Sequence, residues 1–296
     1  MQLNAYILAA DPAWIEASVL SYYDIVDRIV VSYDENGRGW TGTPIDVEQC
    51  LRRLRVIDKT GKFDYRPGHF ARAEYFSDPM RNDTYQRQVA LDQASDGAKW
   101  VLQFDTDEVV ADAPLFLECL READAAGFKA IEFPARWIYC DLPDGRYLET
   151  CSRFWRLSAG YPGPVAVCSD TELVVARQCK QPTYRVDFRS RNTDPHRAKW
   201  TPVHRVIGPS QGIFHYSMVR DESAWRRKVA AWSHAHDRNW TPEFKRWNWS
   251  RRHPYLAALM TPVMPKSNQR RLRITTIRSA TKTITALKPQ SNEQRI

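Results

Sequence analysis

Leu3 to Ala10 is an almost unbroken apolar run. A strand buried on both faces of a parallel sheet reads this way, whereas a strand with one wet face alternates. Asp11-Pro12 follows, an N-cap acceptor with proline at the first helical position. Trp14, Ser18 and Tyr22 then recur on one face of a helix ending near Tyr23. The alternation repeats. Ile25 to Tyr33 predicts a second strand, Pro44 to Leu54 a second helix, and Arg55 to Asp58 a third strand. NDTYQRQVALDQAS predicts a helix capped by Asn82 or Asp83 and ended by Gly97. The next apolar run, Trp100 to Phe104, stops abruptly at Asp105-Thr106-Asp107-Glu108. Strands and helices in this order predict an α/β domain with a mostly parallel sheet flanked by helices and right-handed crossovers.

The second half changes character. KAIEFPARWIYC and RYLETCSRFWRLS read as two long strands around a turn at Pro143-Asp144-Gly145, an added antiparallel region. Shorter strands are expected at Val203 to Ile207 and Gly212 to Tyr216, and a helix opening at Asp221. Beyond Pro265 the chain is polar and basic, with Ile277, Ala280, Ile284 and Leu287 at a spacing that an amphipathic segment would show. The pattern divides the chain into residues 1–217, a helical extension over 218–264, and a tail over 265–296.

The net charge of +8 sharpens that division. Residues 266–296 carry eight Lys and Arg against one acid, and residues 218–253 carry nine against four. The first 217 residues are therefore net acidic, at −4. A cationic tail with an apolar face fits peripheral contact with an anionic membrane surface. No nucleic-acid module is visible, so nucleic acid is not expected as a partner. The six cysteines form no C-x-x-C pair and read as reduced thiols. The N-terminal MQLNAYILAADP has no basic segment ahead of its apolar run and reads as a first strand, so a cytoplasmic location is expected.

SYDENGRGWTG, residues 32–42, contains G-x-G-x-x-G, with Asp58 lying 21 positions after the first glycine. A dinucleotide loop needs the helix to begin within the motif, so that its free amides meet the pyrophosphate. Here Asp34-Glu35-Asn36 separates strand from glycines, Trp40 occupies the approach, and the helix start at Thr43-Pro44 comes afterwards. The glycines are read as shaping a loop.

Asp105 and Asp107 carry more. Ligands of an open α/β sheet bind beyond the carboxyl ends of its strands, and two acids one residue apart suit a hard cation shared with phosphate oxygens. Together, LNAYILAADPAWIEASVLSYY, DRIVVSYD, RNDTYQRQVALD, WVLQFDTDE and GIFHYS make residues 3–217 resemble the GT-A-fold glycosyltransferases of the family-2-like type. The resemblance implies a Rossmann-like nucleotide-sugar fold and a metal-dependent transfer of sugar from a nucleotide-diphospho-sugar to a glycan, lipid-linked or cell-surface acceptor. It implies that Asp34 grips the base or ribose, that Arg81 meets the nucleotide, and that Asp105 and Asp107 reach the diphosphate and a Mn2+ or Mg2+ ion. His215 would complete the metal site. For the base that takes the acceptor's proton, Asp194 and Asp187 come first, with Asp221 or Glu222 behind them. Trp137, Phe154, Trp155 and Trp200 are aromatic candidates for stacking on sugar. A sugar-phosphate nucleotidyltransferase would also use such a domain, but would carry a glycine-rich basic loop where this chain has AADPAW. A non-catalytic membrane- or polyanion-binding module is the third reading.

Overall fold

The computed structural model describes residues 1–260 and 271–277. All six residues of β1 (Leu3–Leu8) are buried, as their composition requires. Trp14 rather than Asp11 takes the cap position of α1 (Ile15–Leu20), and β2 (Arg28–Asp34) follows. α2 (Val47–Ile57) opens at Asp46, whose carboxylate accepts from the Gln49 amide at 3.0 Å. The strand expected at Arg55 to Asp58 is instead the end of this helix: Leu51, Leu54 and Ile57 are buried at helical spacing. The third strand is β3 (Phe63–Gly68). α3 (Pro79–Ala94) begins at its proline, which leaves Asn82 and Asp83 buried inside it instead of capping it.

β4 (Trp100–Leu102), β5 (Glu108–Val110), α4 (Ala113–Ala125) and β6 (Ala130–Glu132) come next. β6 and β7 (Ala135–Asp141) are the two halves of one expected strand. They part at Phe133-Pro134, where proline withholds a ladder donor, and enter different sheets. β7 and β8 (Tyr147–Cys151) form the anticipated hairpin, with Gly145 at φ +79° in its turn. The remaining strands are β9 (Ala166–Cys168), β10 (Leu173–Val175), β11 (Gln178–Cys179), β12 (Thr183–Asp187), β13 (Arg205–Val206) and β14 (Ile213–His215). α5 (Glu222–Ala231), α6 (Thr241–Arg252), α7 (Pro254–Leu259) and β15 (Arg271–Thr275) complete the described chain.

The main sheet runs β13-β12-β6-β9-β4-β1-β2-β3, with β9 alone antiparallel to its neighbours. β1 lies between β2 and β4. The chain winds outward through β2 and β3, then returns to add β4 on the other side. This is a Rossmann-like α/β architecture, and the reversal makes a crevice at the carboxyl ends of β1 and β4. A second sheet, β15-β8-β7-β14-β5, starts where β4 ends. Its antiparallel β5–β14 register sets His215 opposite Glu108, which brings two segments 107 residues apart to one place.

The main core fills the space between the large sheet and α1, α2 and α4. A separate core joins Trp225, Phe244 and Trp247 to Tyr139, Cys140, Leu148 and Leu272. The helical extension is therefore packed on the second sheet. Part of the expected tail is an edge strand, since Arg271–Thr275 pairs along β8. Ala280, Ile284 and Leu287 lie outside the described residues. Among the described residues no helix is long and apolar enough to cross a membrane, and all six cysteines are free.

Candidate active site

Where β1, β2 and β4 end, the chain turns away from the sheet and leaves a cleft of about 670 Å³. Asp11, Asp34, Asp105 and Asp107 line it from the sheet side, and Ala224, Arg227, Lys228 and Ala231 from α5. Those four positions repeat at three- and four-residue intervals, so one face of α5 looks into the cleft. The helix is held against the glycine loop. Thr41 Oγ1 donates to the Ala230 carbonyl at 2.7 Å, and a Cβ on Gly39 would come within 2.9 Å of the Ala231 Cβ. Gly37 and Gly42 hold φ of +64° and +82°. The glycines thus serve loop shape and close helix approach.

The charges in the cleft are interlocked. Asp107 is buried; its Oδ1 lies 3.1 Å from His215 Nε2, while Oδ2 takes Arg220 Nη2 at 3.2 Å and the Lys228 ammonium. The Arg220 guanidinium spans two strand ends, pairing with Asp11 as well, and its Nε donates to the Ser217 carbonyl at 2.8 Å. Burial alone would raise the Asp107 carboxyl, but Lys228, His215 and Arg220 outweigh it and hold Asp107 well below the usual carboxylate range. For Asp11, burial is likewise outweighed, by Arg220 and Lys228, and its pKa is lowered. Asp105 accepts from Arg87 at 2.8 Å, and Arg87 is shared with Asp83 at 2.6 Å. Glu108 is fully buried against Arg177, with contacts of 2.5 and 2.7 Å, and its Oε2 accepts from the Asp105 amide at 3.0 Å. The last acid of D-T-D-E therefore fixes the turn that presents the first.

Asp105, Asp107 and His215, which the family resemblance implied as metal ligands, all line the cleft. They do not fit a metal ion in this arrangement. Both Asp107 oxygens face nitrogen donors, and His215 turns Nε2 toward Asp107 while its Nδ1 is buried without a hydrogen-bond partner. Among the described residues no group of three or more His, Cys, Asp or Glu side chains could hold an ion. The counter-charges present are Arg220 and Lys228 on Asp107 and Arg87 on Asp105.

Four other expected residues have different employment. Asp34 lines the cleft, but its oxygens accept from four backbone amides, those of Asn36, Arg38, Phe70 and Ala71, at 2.9–3.1 Å. It ties the glycine loop to the segment after β3 and has no lone pair left for a ribose. Arg81 is an exposed residue paired with Asp78, outside the cleft lining; the cation that meets the D-x-D turn from α3 is Arg87. Asp187 and Asp194 lie outside the cleft lining as well. Asp187 accepts from the Phe188 and Thr193 amides and the Thr193 hydroxyl, and Asp194 accepts from the His196 amide. They shape the loop after β12. Of the four tryptophan and phenylalanine candidates, Trp137 lines the cleft, its ring 4.4 Å from that of His215.

The sequence reading passed over Arg87, Arg220, Lys228 and His234. Arg220 follows GIFHYS by only three residues. Lys228 sits in a run that resembles a solvated helical face, and Ala224 and Ala231 on its own stripe are the signal that this face is covered. His234 lines the cleft, with Nδ1 2.6 Å from Asp237 Oδ2. Asp221 lines it too, as the N-cap of α5, accepting from the Ala224 amide at 2.7 Å.

No protein-family model and no curated protein matches the sequence. Solved structures match at low similarity. A 4-diphosphocytidyl-2C-methyl-D-erythritol synthase from Anaerococcus prevotii is 16% identical, covering 57% of this chain and 70% of its own, with a TM-score of 0.34. A mannose-6-phosphate isomerase from Helicobacter pylori is 12% identical over 49% of this chain and 58% of its own, at 0.30. A mannose-1-phosphate geranyltransferase from Thermus thermophilus is 12% identical over 51% and 49%, at 0.28. Likeness of this degree assigns no activity, so function is argued from the cleft itself.

Proposed function

We propose that the cleft binds a nucleotide-diphospho-sugar and transfers its sugar to a hydroxyl of a glycan or lipid-linked acceptor, as a glycosyltransferase of the GT-A kind. The observation that supports this best is the meeting, at the switch point of the sheet, of the D-x-D turn with His215, Arg220 and Lys228. Sugar transfer forms a bond from the acceptor oxygen to the anomeric carbon and breaks the bond from that carbon to the diphosphate. The electron pair leaves with the diphosphate, whose developing charge needs preorganised positive groups. Lys228, on the cleft face of α5 and 18% exposed, still has ammonium donors to offer, and Arg220 is locked beside it by three partners. Asp11 and Asp107 hold both cations in place.

The acceptor's proton needs a base. A proton on His234 Nδ1, donated to Asp237, leaves the Nε2 lone pair to receive it. His234 is the group we assign to that step.

Titrating UDP and GDP by calorimetry, in EDTA and again with Mn2+, tests the reading. Binding in EDTA is expected in the native protein and is expected to be lost in Lys228→Ala. An unchanged titration in both Lys228→Ala and Asp107→Ala would overturn the site. Binding that requires Mn2+ would return Asp105 and Asp107 to metal ligation. A sugar-phosphate nucleotidyltransferase is the second reading, because Arg38, Arg227 and Lys228 in the lining also suit a triphosphate. Pyrophosphate release from a nucleoside triphosphate and a sugar phosphate would select it; release of nucleoside diphosphate from a sugar nucleotide selects glycosyl transfer.

A further inference from the structure

Large apolar side chains are exposed unevenly over this molecule. Among the described residues, six of the thirteen such side chains fall on two segments: Phe154 and Trp155 after β8, and Tyr255, Leu256, Leu259 and Met260 on and just after α7. The segments are neighbours. Trp155 Nε1 donates to the Ala258 carbonyl at 2.8 Å, and Arg273 Nη1 on β15 donates to the Trp155 carbonyl at 3.2 Å. α7 divides cleanly, with Ala257 and Ala258 buried in the second core while Leu256 and Leu259 face outward, Leu259 at 68% exposure.

The backbone adds a second observation. Phe154 and Trp155 hold φ of +60° and +56°, the left-handed region that bulky side chains avoid. Their conformation keeps two aromatic residues at the surface, where Phe154 is 55% exposed. Strain of this kind gathers at ligand-facing positions. Around the apolar patch stand the exposed Arg153, Arg156, Arg251 and Arg252. At its edge the acid Asp144 is paired with Arg146, which also contacts the Tyr255 hydroxyl at 2.5 Å.

We propose that this patch docks the protein onto an anionic lipid surface, with the aromatic and leucine side chains seated at the headgroup boundary and the arginines among the headgroups. An interfacial contact requires an apolar face rimmed by cations, and arginines near an anionic leaflet add attraction that decays within a Debye length. Net charge supports a lipid over a protein partner, because residues 266–296, which follow the patch in sequence, carry a further +7. The inference is independent of what the cleft binds.

Co-sedimentation of the full chain with phosphatidylcholine vesicles and with vesicles containing phosphatidylglycerol tests it. Binding is expected only to the phosphatidylglycerol vesicles, falling as salt rises. The variant Phe154→Gly/Leu256→Ser/Leu259→Ser should bind about tenfold more weakly or worse, from the lost apolar burial. Its melting temperature should hold, since Gly relieves the φ at position 154 and the two leucines face solvent. Equal binding of the variant and the native chain would overturn the proposal and leave lipid contact to other basic segments. Absence of binding to either vesicle would also overturn it. So would a native dimer that the variant converts to monomer, which would make the patch an interface between copies.

Discussion

Glu108→Ala should be the most damaging single change around the cleft, though Glu108 does not line it. Glu108 is fully buried and Arg177 only 2% exposed. Their contacts of 2.5 and 2.7 Å make a two-point pair, and Arg177 Nη1 also donates to the Gln103 carbonyl at 2.8 Å. Removing the carboxylate strands a guanidinium that water does not reach. Breaking a buried pair from one side costs about 3–5 kcal/mol, against a total stability of roughly 5–15 kcal/mol for ordinary domains. At about 2–4 °C per kcal/mol for chains of this order of size, the melting temperature should fall by about 10 °C. The informative companion is Glu108→Leu/Arg177→Met. Replacing a whole buried pair with apolar groups of similar volume is often neutral, so the double variant should recover most of the loss. It should remain impaired in nucleotide binding, because the Asp105 amide has lost its acceptor. Urea denaturation of the three proteins, with a nucleotide titration on each, provides the comparison. A single variant within about 1 kcal/mol of the native chain, or a double variant no better than the single, would refute the reasoning.

Three further expectations concern the surroundings of the cleft. Gly39→Ala places a Cβ within 2.9 Å of the Ala231 Cβ and 3.0 Å of its carbonyl, so it should cost about 1–3 kcal/mol and weaken nucleotide binding by moving α5; a melting curve and a titration read both. His234→Gln should slow transfer to an acceptor by about 10²–10⁴-fold while nucleotide affinity holds; Asp194→Asn should leave the transfer rate unchanged in the same assay. Asp11 and Asp107 have folded pKa values below their unfolded ones. Their stabilisation is complete above the unfolded carboxylate value of about 3.9 and is lost as pH falls from there through the folded values. Melting temperature should therefore fall steeply with pH below about 4, and less steeply in Asp107→Asn.

Much of the sheet was legible because β1, β2 and β4 are buried on both faces and spell this out as apolar runs. The D-T-D-E turn was legible for the same reason: charge following so apolar a strand marks its carboxyl end. Arg55 to Asp58 misled because Val56 and Ile57 suit a strand or the last turn of a helix equally, and only the continuation of Leu51 and Leu54 separates them. The partners of the acids were the hardest to foresee. Asp34 sits where the family resemblance places a functional acid, and Asp187 and Asp194 are base candidates by their distance along the chain, yet backbone amides occupy all three, and a sequence does not record which amides a fold leaves unpaired. Arg220 and Lys228 come from residues that pair with Asp11 and Asp107 only after the second sheet has folded against the first.

That distance along the chain has a consequence for how the protein is made. Synthesis proceeds from the N-terminus, and early segments begin to fold while later ones are still being added. Asp11, Asp105 and Asp107 leave the ribosome more than a hundred residues ahead of Arg220 and Lys228. β8, which braces β7 and through it the strand bearing His215, gains its outer neighbour only when residues 271–275 have emerged. A nascent chain halted near residue 215 holds Asp105 already paired with Arg87, but Asp11 and Asp107 without their cations. Among the described residues β15 is the last strand to be translated, and it completes the sheet that carries His215.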